Sequence, residues 1–185
     1  MSIADDLKNA LSSVVSGAGD VVGTTRDVTK DVVIKTFQAG GDVASTALDT
    51  IGDVVSEGVS VASSAGVSAT QAVTGLVTGV IEGVKEVEGD VVSTTMMAAS
   101  GAVRGVQSVG GDVGEAAVSA VEGAIKAAAT IGSDSGELAV HAVMGSLKAA
   151  DEIGSEAGGI VRKALLNAAA LPHDVIDALL TGKTE

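Results

Sequence analysis

The sequence predicts an all-α chain of long amphipathic helices built from 11- and 22-residue repeats, and three observations carry that prediction. Cut in elevens from Gly19, it reads GDVVGTTRDVT, KDVVIKTFQAG, GDVASTALDTI, GDVVSEGVSVA, SSAGVSATQAV and TGLVTGVIEGV. After Lys85–Glu88 the beat resumes as GDVVSTTMMAA, SGAVRGVQSVG, GDVGEAAVSAV, EGAIKAAATIG, SDSGELAVHAV, MGSLKAADEIG and SEAGGIVRKAL. Eleven residues fill three helical turns at about 3.67 per turn, close to the natural 3.6. The second observation is facial. At about 98° per residue, positions 3, 4, 7, 8, 10 and 11 fall on one arc and the remainder on the other. The first arc takes Val21, Val22, Val33, Val55, Val92, Val113, Val118, Val121, Ile125, Val140, Val143, Leu147 and Ile153. The second takes Asp20, Asp31, Asp42, Asp53, Asp90, Asp112, Asp134 and Glu156 at a single repeat position. Third, alternate elevens in the second half match better than neighbours, which doubles the beat. Gly110-Gly111-Asp112, Gly132-Ser133-Asp134 and Gly154-Ser155-Glu156 stand 22 residues apart.

The segments follow in order. Residues 1–18 start the first helix, with Ser2 and Asp5 as its opening signals. Residues 19–84 form a first repeat block. Its valine-rich start, 19–36, has the strongest β tendency in the chain, but it lacks the two-residue alternation of a half-buried strand. The four-residue insert 85–88 adds about one turn and keeps the apolar face in line. Residues 89–165 form the second block. In 166–185, Pro172 stops the repeat and opens a short helix through Leu180. Two readings of the glycine–acid joints stay open. A helix runs straight through them, or Gly110, Gly132 and Gly154 end helices in left-handed geometry and the acids cap the next ones. Under the second, antiparallel helices of about 18 residues and about 27 Å are joined at Gly-Gly or Ser-Asp turns.

Composition limits what such helices can do. The chain is 46% hydrophobic yet has one Phe, no Trp and no Tyr, so Val and Ala supply the burial at little area per residue. With 25 glycines, it folds only by close backbone approach or against an external apolar surface. A net charge of −13 excludes nucleic acid as a partner. Cysteine is absent, which excludes disulfides and thiolate chemistry. The acidic start MSIADD lacks signal-peptide character, and no apolar run approaches the ~20 residues of a membrane span, so a cytoplasmic location is expected.

Candidates for chemistry are few. His141 and His173 have no partner at metal-ligand spacing. Gly132-Ser133-Asp134-Ser135-Gly136 lacks the G-x-S-x-G spacing of a nucleophile elbow and a preceding strand. No phosphate-binding loop motif occurs. We therefore expect no catalytic residue, no metal, no cofactor and no enzymatic activity. The wide, shallow Gly/Ala/Val face instead suits helices that pack on copies of themselves or lie on an apolar surface.

The paired valines, Thr and Gly of "TGLVTGVIEGVKEVEGDVV" (74–92) resemble the 11-residue repeats of synucleins and, more loosely, of perilipins, exchangeable apolipoproteins and group 3 late-embryogenesis proteins. The likeness spans roughly residues 8–165. It implies helices that form on membranes, on lipid droplets or during drying. Synuclein-type repeats carry lysines beside the apolar face, whereas this chain has only 11 basic residues and rows of Asp. A neutral lipid, membrane or granule surface, or the protein itself, is then the expected partner. The expected function is a non-enzymatic structural protein that self-associates, coats such a surface, or builds a filament or sheath. The alternatives are a desiccation-type protectant and a monomeric helical binding domain.

Overall fold

The 22-residue beat is the length of one helix and its turn. The computed structural model describes residues 3–15, 20–40, 44–168 and 171. Among them eight helices follow one another: α1 (Ile3–Val15), α2 (Val21–Gly40), α3 (Ala44–Ser64), α4 (Ala69–Glu86), α5 (Val91–Ser108), α6 (Val113–Ile131), α7 (Ser135–Ile153) and α8 (Ser155–Asn167). The described residues include no strand, and the valine-rich 21–36 is helical throughout. Helices α5, α6 and α7 each start 22 residues after the one before.

The helix does not run through the joints, and the reason is local. Gly66, Gly110 and Gly132 sit at φ +82°, +74° and +72°, and Glu88 occupies the same register at +56°. This left-handed residue lets the next amide turn back to a carbonyl five residues earlier. The bonds are Val67 N–H to Ala62 O (2.9 Å), Gly89 to Val84 (2.9 Å), Gly111 to Val106 (2.9 Å) and Ser133 to Ala128 (3.0 Å). Two residues beyond each left-handed position stands the N-cap of the next helix. Asp90 accepts from the amides of Val92 and Ser93 at 3.0 and 3.1 Å. Asp112 accepts from Gly114 and Glu115 at 2.8 and 3.1 Å, and Asp134 from Glu137 at 2.9 Å. Ser68 holds this place before α4 without a side-chain cap bond. The α7–α8 joint differs. Gly154 alone connects the helices at φ +156°, ψ +166°, a region open essentially to glycine.

Two expectations from the elevens need correction. The insert 85–88 does not prolong a helix by a turn: α4 ends at Glu86, and Val87 to Asp90 make the connection, with Glu88 left-handed. Counted by helix starts, the longest interval is the earlier one, from Ala44 to Ala69. The chain also turns at 65–68, where no acid marks the joint. Ser2, Gly41, Asp42, His173 and the helix expected from Pro172 to Leu180 lie outside the described residues.

The helices form two layers, as small helical domains do when each apolar stripe must find a partner. Even-numbered α2, α4, α6 and α8 lie side by side, and odd-numbered α1, α3, α5 and α7 lie against them. Neighbours within a layer run parallel. Gly75 meets Val22 and Thr25, Gly79 meets Arg26 and Thr29, and Gly83 meets Lys30 and Val33, ascending together along α4 and α2. Consecutive helices therefore run antiparallel, and the chain stacks helical hairpins in the manner of a solenoid. Helix α4 lies innermost, with every residue from Ala72 to Val84 buried. The core around it is aliphatic and small, with Leu7, Leu11, Ile51, Leu76, Ile81, Leu138, Leu165 and Leu171 as its larger members among many Ala and Val.

Candidate interaction surface

Within a layer the helices touch backbone to backbone. A Cβ on Gly75 would stand 2.8 Å from Val22 O, one on Gly105 2.9 Å from Ser56 O, and one on Gly123 2.9 Å from Thr74 O. Gly79, Gly101 and Gly145 press still closer on the carbonyls of Arg26, Gly52 and Met96. Helix axes usually lie 8–10 Å apart, set by the side chains between them. With none there, α4 closes directly on α2 and α6. Threonine hydroxyls bridge the same seams: Thr78 Oγ1 donates to Thr74 O at 2.7 Å and lies 3.1 Å from Gly123 O.

Charge follows the seams. Lys30 pairs with Glu86 between α2 and α4, and this bond holds the ammonium above its ordinary pKa. Arg26 is held to Asp27 at 2.7 Å, which raises its guanidinium pKa, and its Nε lies 3.9 Å from Glu82 Oε2. Glu82 is buried, and its other oxygen has no hydrogen-bond partner. Across the last joint Arg162 binds Asp151 at 3.0 Å, passing over Gly158, where a side chain would collide with both. Asp90 sits below the usual carboxylate range because the Ser93 hydroxyl and amide, and then the Val92 amide, donate to it; the charge of His141 adds to this.

The residues singled out by the repeat divide among several places. Val33, Val55, Val113, Val121 and Val143 are buried, Val92, Val118, Ile125 and Leu147 are half-buried against the core, and Val21, Val22 and Val140 are half-buried. Ile153 is exposed. Gly110 and Gly111 form a turn, as does Gly132, and Gly154 forms the shortest joint. Asp20 accepts from the amide of Gly23 at 2.9 Å. It, Asp90, Asp112 and Asp134 are helix caps rather than a continuous row along a wet face. Asp31 and Asp53 are exposed inside α2 and α3, and Glu156 is exposed in the first turn of α8. His141 Nδ1 donates to Glu137 O at 2.9 Å. The projection onto two arcs misses the seams, since Gly75, Gly79, Gly101, Gly105, Gly123 and Gly145 all fall on the arc assigned to water. Glycine has no hydropathy to betray a contact, and the available signal is the four-residue spacing of Gly75, Gly79 and Gly83 and of Gly101 and Gly105.

The two ends of the stack differ. The exposed residues of α2 include Asp27, Asp31, Lys35 and Gln38, a polar surface of the kind that ends a repeat stack. At the other end, Met144, Ile153, Ile160 and Leu166 are exposed by 37 to 43%. These are four of the five large exposed hydrophobics among the described residues, the fifth being Val109 in a turn. No group of His, Asp and Glu able to hold a metal ion occurs among the described residues, and none of their helices is long and apolar enough to cross a membrane.

No protein-family model and no curated protein matches the chain. Among solved structures it is similar to the crystal structure of a de novo designed helical repeat protein, DHR7, at 18% identity and a TM-score of 0.36, over 83% of this chain and 96% of that one.

Proposed function

We propose that this chain is a non-enzymatic structural protein that acts by associating with copies of itself. The observation that carries the reading is the asymmetry of the stack: charge ends it at α2, while large apolar side chains stay exposed on α7 and α8. Exposed apolar residues gathered in one place mark interaction surfaces more often than scattered ones do. A second reading, a coat on neutral lipid or a granule, is favoured by the small side chains of the core. Each Ala or Val stabilises the closed stack by little, so an apolar surface competes for the same faces.

Light scattering and negative-stain imaging of the full chain, alone and with neutral or anionic vesicles, test both readings. We expect a helical protein that forms regular oligomers without lipid. A monomer at every concentration would refute self-association. Oligomers that dissolve as helices transfer to neutral vesicles would favour the coat.

A further inference from the structure

The exposed face of α8 is complementary to itself. Among the described residues α8 packs on α6 and α7 only, and Glu156, Gly159, Ile160, Lys163 and Leu166 share its outward side, exposed at spacings of three and four. At Gly159 no atom stands within 4 Å of where a Cβ would be, so the backbone is bare there. Ile160 beside it is 43% exposed.

We propose that two copies of the chain pair through α8, antiparallel about a two-fold axis passing between Gly159 and Ile160. Such an axis sets each residue against the one equally far on its other side. Ile160 of each copy then enters the bare site at Gly159 of the other, a knob meeting a gap. Glu156 faces Lys163 in both directions, giving two opposite-charge contacts by symmetry. A head-to-tail arrangement would instead bring this face to the charged surface of α2, which offers neither gap nor apolar match. An isologous pair closes on itself and leaves the α2 ends free.

This inference rests on the self-association reading and names its surface. The test is sedimentation equilibrium of the full chain up to about 0.5 mM, since an interface of one helix face belongs to the weak class. Three variants accompany it, each checked for native helicity by circular dichroism. We expect the wild type to dimerise and Ile160→Asp to be monomeric. Lys163→Glu, which makes both charge contacts repulsive, should weaken the dimer by about ten-fold or more. The double variant Glu156→Lys/Lys163→Glu should restore it. A self-associating wild type with all three variants unchanged would overturn this pairing and leave self-association standing. A wild type that stays monomeric would remove both.

Discussion

Glu88 does with a side chain what Gly66, Gly110 and Gly132 do without one. At φ +56° it sits where a Cβ crowds the following carbonyl, at a cost of about 1–2 kcal/mol for an L-residue. Glu88→Gly should therefore raise stability by about 1 kcal/mol, some of the gain being offset by a more flexible unfolded chain. Urea denaturation reads this directly, and an unchanged midpoint would refute the strain. Glycines inside helices split into two kinds on the same scale. Gly79→Ala drives a methyl group into the Arg26 carbonyl, so overpacking of about 1–3 kcal/mol should outweigh the ~1 kcal/mol gained in helix propensity. Gly159→Ala meets nothing within the chain and should stabilise it by up to about 1 kcal/mol. Thermal melts of the two variants moving in the same direction would contradict the seam geometry.

At the scale of the element, one repeat position alternates between two jobs. Asp90, Asp112 and Asp134 cap helices, and Gly101, Gly123 and Gly145, eleven residues after each, press on a neighbouring backbone. That alternation is why the beat is 22 rather than 11. It was legible wherever glycine and acid occur together, at 110–112 and 132–134. It was illegible at 65–68, where serine stands in the cap position, and at 87–90, where glutamate takes the left-handed place. The acids do not form one wet row for the same reason: Asp20, Asp90, Asp112 and Asp134 are helix endpoints, while Asp31 and Asp53 are exposed within helices. Cap chemistry also sets a pH dependence. The Asp90 carboxylate is held below its ordinary pKa by donors that favour its charged form, so the stability it contributes is present above the ordinary carboxylate value and is lost as pH falls through the lowered one. Asparagine still caps. Asp90→Asn should change stability little at about pH 6 and make the decline towards about pH 3 shallower. Parallel declines in variant and wild type would show that the cap's charge is irrelevant.

On the scale of the whole molecule, the helical class and repeat unit were readable because Gly, Val and Asp recur in register. The layering was not, because nothing in the pattern says which helices become neighbours. Pairing between alternate helices rather than consecutive ones depends on backbone contact, and the open end at α8 becomes visible only once α6 and α7 have covered its other sides. Alternation between layers has a further consequence, which concerns the chain's length. Parity is conserved when two successive units are removed and broken when one is. Deleting Val91–Asp134 leaves every remaining helix in its own layer and lets α7 follow α4 directly. Deleting Val91–Asp112 alone transfers α6, α7 and α8 to the opposite layer, with their glycines facing the wrong neighbours. We expect the longer deletion to keep a cooperative melt and the shorter one to lose it, which calorimetry would resolve. A gene of this kind would then lengthen or shorten in hairpins rather than in single helices.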